Sequence, residues 1–287
     1  MKVIDILKQN DITISFEVFP PKKQEGMEGV LEAAGAIAAL KPAFMSVTYG
    51  AGGSTSRLTT EVAASLYEKN RVTVLPHLTC VGETRATIHE HLEELRASGL
   101  DNVMALRGDL PKDGRQNKDY EHAVDLIRDI RSYDKEICIG AACYPEGHVE
   151  SASRSEDLKY LKEKVDAGVD FLTTQMFFDN DLFYRFLWQI REIGITVPVL
   201  PGIMPITNAR QLGRSVELSG THVPERFLAI VDRFGGNPDA MKQAGIVYAA
   251  AQIIDLIAND VRHIHVYSMN KPEVAAGILV NLSELLK

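Results

Sequence analysis

The chain of 287 residues is poor in cysteine: Cys80, Cys138 and Cys143 are all it has. Three thiols so spaced make neither a disulfide framework nor a four-thiolate metal centre. Long apolar runs are missing too. No stretch reaches the ~18 consecutive apolar residues that a spanning helix needs. The opening MKVIDILKQNDITISFE is too charged for a secretory leader. Positive charge is in deficit: 31 Lys and Arg against 39 Asp and Glu leave a net charge of -8. A general nucleic-acid surface would need basic stripes, so that class is set aside. There is no Pro/Ser linker, no low-complexity tract and no second composition regime. The expectation is a reduced, cytoplasmic, single-domain chain over residues 1–287, without a membrane or nucleic-acid partner.

What is present is alternation. Ile12, Ile14, Phe16 and Val18 alternate with Thr13, Ser15, Glu17 and Phe19, a period of two that predicts a strand, which Pro20 and Pro21 stop. A helical pattern follows in MEGVLEAAGAIAALK, then a strand in AFMSVTY, and the two kinds keep alternating to the end. Counting gives about eight strand–helix units, the number in a (β/α)8 barrel. VPVLPG reads as the seventh strand and HIHVYSM as the eighth, with extra helices RFLAIVDRFGG and PDAMKQAGIVYAAAQIIDLIAND between them. The fold class expected is α/β, a single-domain TIM-type barrel. A doubly wound open sheet is the alternative, but it would carry a Gly-rich dinucleotide turn where this chain has Phe-Pro-Pro.

In such barrels the site lies at the C-terminal ends of the strands. The residues there are ones that apolar packing would not choose. They are Glu17, then Thr48-Tyr49-Gly50, His77 and Thr79, Arg107-Gly108-Asp109, Tyr144, Gln175 and Tyr267. Each alone has a bland explanation as a satisfied polar residue at a loop start. For Glu17 that explanation is an edge strand with one wet face. Convergence on one rim favours a polar mouth that binds a ligand. Other signals are weak. GAGG lacks the Gly-Lys-Ser/Thr that would make it a phosphate loop. His263 and His265 share a strand face, and His89 and His91 sit on a helix. Neither pair has a third ligand nearby, so hydrogen-bonded or solvated histidines are expected rather than a metal site. Cys138 and Cys143 read as small buried apolar residues.

The blocks SFEVFPPK, PAFMSVTYGAGGS, PHLTC, ALRGDLP, YPEGH, LKEKVDAG, TTQMFFD, PGIMPITN and HVYSMNK also resemble, in order, the methylenetetrahydrofolate reductase family and its FAD-dependent catalytic barrel. The resemblance runs from Phe16 to Lys271, and no counterpart of the regulatory domain of longer members is expected. It implies reduction of 5,10-methylenetetrahydrofolate by a flavin, with electrons from NAD(P)H. Glu17 would be the general acid and Asp109 a second catalytic carboxylate beside flavin and pterin. Thr48, His77, Arg107, Gly108, Asp109, Tyr144, His148, Asp157 and Lys164 would contact FAD, with Arg107 and Lys164 suited to its pyrophosphate. Gln175, Tyr267 and Lys271 would bind folate. An ordinary carboxyl is ionised at neutral pH, so the acid's task needs an apolar surround, expected from Phe16, Phe19 and the flavin.

The chain departs from the family pattern in three places. Arg57 and Leu58 stand where many members continue Asp-Arg-Thr, Glu163 stands where some have Arg, and Ala209 where the enterobacterial form has an aromatic. Two rival functions are a flavin-free pterin-binding methyltransferase barrel and a subunit that works only with an electron-transfer partner. A homo-oligomer is also compatible with the sequence.

Overall fold

The computed structural model describes residues 1–9, 11–49, 56–109 and 119–287. Its strands are β1 (Thr13–Val18), β2 (Met45–Val47), β3 (Val74–Thr79), β4 (Asn102–Leu106), β5 (Cys138–Cys143), β6 (Phe171–Thr174), β7 (Val199–Leu200), β8 (Gly202–Ile203) and β9 (His263–Val266). All pairings are parallel, in the order β7-β6-β5-β4-β3-β2-β1-β9-β8. The two ends of that list are neighbours in the chain, separated only by Pro201. Proline has no N–H to give a ladder. It therefore divides the predicted seventh strand into a half paired with β6 and a half paired with β9, while the Pro201 carbonyl still accepts from His265 N–H at 3.0 Å. Joined there, the sheet closes as a TIM-type barrel.

The helices are α1 (Val3–Leu7), α2 (Met27–Ala38), α3 (Ser56–Asn70), α4 (Arg85–Ala97), α5 (Ala123–Tyr133), α6 (Arg154–Asp166), α7 (Asn180–Glu192), α8 (Ala209–Ser219), α9 (Glu225–Phe234), α10 (Pro238–Ala258) and α11 (Pro272–Leu282). Several starts are written in the sequence. Thr84, Ser153, Asp179, Asn208 and Asn237 each accept a backbone N–H as N-caps, and Pro238 and Pro272 open their helices at the position where proline costs nothing. The insertion before the last strand folds as the two expected helices, α9 and α10. The five-residue α1 has no counterpart in the sequence reading, because it is too short to show a period.

That short helix does a specific job. Its Val3, Ile6 and Leu7 pack with Phe44, Leu75, Met104, Cys138, Phe171 and Leu200, forming an apolar plug at the barrel's lower end. The inner face changes character going up each strand: Phe44, Ser46 and Thr48 on β2 and its flanks, Leu75, His77 and Thr79 on β3. The floor is dry and the layer above it is polar. Outward residues, including Phe16, Val18, Met45 and Val47, pack against the helices in the larger core.

Two close features carry predictions. A Cβ on Gly245 of α10 would overlap the carbonyl oxygen of Ile206, whereas one on Gly213 of α8 meets open space. Gly245→Ala should therefore cost ~1–3 kcal/mol or more, and Gly213→Ala should be neutral or stabilising by about 0.5–1 kcal/mol; urea denaturation midpoints decide. His263 joins Thr13 Oγ1 at 2.8 Å to the Leu7 carbonyl at 3.0 Å, and burial holds its pKa below the ordinary 6.5, as it does for His77 and His148. Below about pH 6.5 the unfolded chain then binds more protons than the folded one. Stability contributed above that pH is lost as pH falls through it. The melting temperature should drop from pH 7.5 to 5.5, and by less in His263→Gln; equal drops would contradict this.

Candidate active site

Glu17 lies on β1, which is flanked by β2 and β9, so the edge-strand explanation does not hold. The residue is 7% exposed. Its surroundings differ from the expected apolar ones. Phe16 faces outward into the helix-packed core, because neighbours on a strand point to opposite faces. Around the carboxyl stand polar side chains instead. Ser46 Oγ donates to Oε2 at 3.3 Å, Nε2 of His77 lies 3.4 Å from the same oxygen, and Nε2 of His265 lies 3.9 Å from it. Burial lowers the His77 pKa, and its Nε2 has no hydrogen-bond partner among the described residues. Above this cluster, Ser268 Oγ donates to the Glu17 carbonyl at 3.1 Å. Asn270 clasps the Phe19 backbone, accepting from its N–H at 2.8 Å and donating to its C=O at 2.9 Å.

Tyr267 continues this wall. Its hydroxyl donates to the Thr174 carbonyl at 2.6 Å, and burial raises the phenol pKa well above its usual 10. Lys271 donates to Thr207 Oγ1 at 2.8 Å. Gln175 accepts from the Met176 N–H at 2.9 Å, which leaves its amide nitrogen as a donor. Thr48 holds the end of β1 through a 3.0 Å bond to the Val18 carbonyl. Asp109 is exposed. The GAGG stretch and the residues after Asp109 fall outside the described segments.

The other predicted residues gather at a second place. A cavity of about 370 Å³ opens between the ends of β4 and β5 and helices α5 and α6; Arg107, Tyr144, His148, Asp157 and Lys164 line it. Gly108, at φ 88°, turns the chain beside it. The Tyr144 and His148 rings meet edge to face, with centroids 4.6 Å apart. Lys164 is half-buried and donates to the Ala142 carbonyl at 2.6 Å; desolvation lowers its pKa. No carboxylate among the described residues lies within ion-pair distance of it, so a half-buried ammonium is left to face an anion. Arg107 is bidentate to Glu150, at 2.6 and 2.9 Å, and that bond raises the guanidinium pKa and lowers the carboxyl's. Asp157 receives the His148 N–H at 3.3 Å, fixing the loop that carries His148. Glu163 also lines this cavity, adding acid where the resemblance placed a cation.

A larger cavity of about 440 Å³ lies around Lys2, Arg131 and Asp170 near α1. Two ion pairs, Lys2 with Glu136 and Arg131 with Asp170, already stand in it, and it sits at the strands' N-terminal ends. The chemistry belongs at the opposite end. Three participants escaped the sequence reading: Ser46, Glu150 and the inward role of His265. The alternation Phe44-Ser46-Thr48 contained the signal for Ser46. His265 was noticed only as a histidine more suited to hydrogen bonding than to metal, and it does hydrogen-bond to Ser15 and Ser46. Cys138 and Cys143 are buried thiols whose pKa burial pushes up to about 12.

Comparison with known proteins points the same way. The family model described as "Methylenetetrahydrofolate reductase" matches residues 2–283. "Methylenetetrahydrofolate reductase (NADH) 1" of Arabidopsis thaliana is 37% identical over 300 residues, covering 98% of this chain and 51% of that protein. "5,10-methylenetetrahydrofolate reductase" of Pectobacterium carotovorum is 33% identical over 271 residues, covering 94% of this chain and 90% of that one. Among solved structures, a Clostridium thermocellum protein described as binding two copies of 5-methyl-5,6,7,8-tetrahydrofolic acid superposes with a TM-score of 0.67 at 13% identity, over 99% of both chains, a likeness of fold. The chain spans about half the length of the plant relatives it matches. A family model and relatives above 30% identity agree over nearly all of the sequence, and this chain belongs to the methylenetetrahydrofolate reductase family.

Proposed function

We propose that the chain catalyses the flavin-dependent reduction of 5,10-methylenetetrahydrofolate to 5-methyltetrahydrofolate, drawing electrons from a nicotinamide nucleotide in the cytoplasm. The observation that carries this is the buried Glu17 carboxyl on a central barrel strand, ringed by Ser46, His77 and His265 at the mouth where a substrate would enter. Family membership supports the substrate class, and relatives named for NADH and for NADPH support the donor class.

The residues present fit FAD in part. The cavity beside Arg107 and Lys164 offers two cations for a pyrophosphate and the Tyr144 and His148 rings for an aromatic group. Glu150 already occupies the Arg107 guanidinium and must swing away for that group to bind. When bound, FAD supplies the hydride. The chain's own residues supply the rest. In the substrate one carbon bridges two nitrogens. Glu17 protonates the departing nitrogen, which keeps the electron pair of the broken C–N bond and leaves a 5-iminium cation whose carbon accepts the hydride. Asp109 places a carboxylate opposite that cation and accepts from the pterin's N–H groups. Gln175 presents an amide donor to one heterocycle edge. Tyr267 and Lys271 flank the substrate at the last strand.

Glu17→Gln separates the steps. Reduction of the flavin by the nicotinamide should stay close to wild type, because it needs no acid at the folate nitrogen. Reduction of methylenetetrahydrofolate should fall by ~10²–10⁴. Stopped-flow measurement of the two half-reactions checks this; equal losses in both would assign Glu17 to cofactor binding or folding.

A further inference from the structure

The polar layer behind Glu17 contains more than is needed to bury one carboxyl. Every recorded contact of that carboxyl falls on Oε2, and Oε1 has none among the described residues. Ser46 Oγ, 3.3 Å from Oε2, also lies 3.1 Å from Nε2 of His265. The other ring nitrogen, Nδ1, lies 2.8 Å from Ser15 Oγ. His265 is 1% exposed, and its ring stacks on Phe44 with centroids 5.7 Å apart and planes 8° from parallel. The imidazole is thus fixed in plane, and its nitrogens face two hydroxyls.

Proton accounting gives the chain a direction. Each hydroxyl has a single proton. Ser46 gives its proton to Oε2, so the bond between Ser46 and His265 must be completed by an Nε2–H. Nδ1 is then an acceptor. Ser15's single proton has two acceptors in reach, Nδ1 at 2.8 Å and the Ile264 carbonyl at 3.1 Å, and an Nε2–H tautomer directs it to Nδ1. Donors run one way, from Ser15 through His265 and Ser46 to the inner oxygen of Glu17.

We propose that Ser46 and His265 are positioning residues that hold Oε2 as a permanent acceptor, so that the transferable proton is carried by Oε1 toward the substrate. This rests on Glu17 being the acid. As Oε1 releases its proton to the departing nitrogen, which accepts it with the electron pair of the broken C–N bond, the carboxylate keeps its Ser46 bond. That bond becomes charge-assisted and stronger. Without it the carboxyl is free to rotate and present either oxygen.

The test uses the FAD-loaded full chain and three substitutions. Ser46→Ala removes the last donor. His265→Asn places an amide near the Nδ1 position only, and His265→Gln places an amide N–H near Nε2. Misplacing a reacting group by an ångström costs on the order of 100-fold, so Ser46→Ala and His265→Asn should slow methylenetetrahydrofolate reduction by about that factor and flavin reduction by less than about twofold. His265→Gln should recover most of what His265→Asn loses. Both half-reactions falling together, or His265→Gln failing as badly as His265→Asn, would overturn the proposal. Nitrogen NMR of the unmutated protein gives a reading independent of turnover: His265 should be the Nε2–H tautomer, and an Nδ1–H tautomer contradicts the chain. If Glu17→Gln abolishes the folate step while Ser46→Ala and His265→Asn do not, the acid assignment stands and the positioning chain alone fails.

Discussion

A carboxyl group can sit inside a barrel only if something inside bonds to it. Here that condition reaches across the fold. Glu17 comes from the first strand, Ser46 from the second, His77 from the third and His265 from the last. The cluster exists only when the last strand lies against the first, so closure of the barrel and assembly of the acid are one event. Asn270 and Ser268 reinforce that seam by tying the chain after the last strand to Phe19 and Glu17.

The plug below explains why such a polar layer is tolerated. Residues of the α1 helix and the inner faces of the strands make a dry floor, and the polar groups stand on it with partners on several sides. Phe44 belongs to both layers: its ring joins the plug and stacks on His265. A packed floor keeps the imidazole from tilting, and a fixed imidazole keeps the hydroxyls aligned. Further out, the cavity beside Arg107 and Lys164 is built on different elements, with one half-buried cation lacking a carboxylate among the described residues and another held by Glu150. The Glu17 cluster and this cavity therefore rest on separate strands.

Much of this was legible in the sequence, for identifiable reasons. Alternation of short apolar strands with longer periodic helices gave the barrel, and Asn208, Asn237, Pro238 and Pro272 marked helix starts. Glu17 stood out because it put an acid where the first strand runs out. The break at Pro201 was visible as a residue but not as a consequence, since VPVLPG reads as one strand until its two neighbours are known. The α1 plug is too short to carry a period. Ser46 and His265 could not be joined to Glu17 by reading, because their partnership depends on register across β1, β2 and β9. The same strand period also placed Phe16 on the outer face, so the apolar surround first assigned to it gives way to serine and histidine.

Anaerobic mixing gives the most direct measurement. The chain is loaded with FAD, reduced, and mixed with 5,10-methylenetetrahydrofolate while flavin absorbance and folate product are followed together. The account predicts that the flavin returns to its oxidised spectrum as an equivalent amount of 5-methyltetrahydrofolate forms. A flavin that stays reduced in the presence of excess folate, or a chain that takes up no FAD, would contradict it.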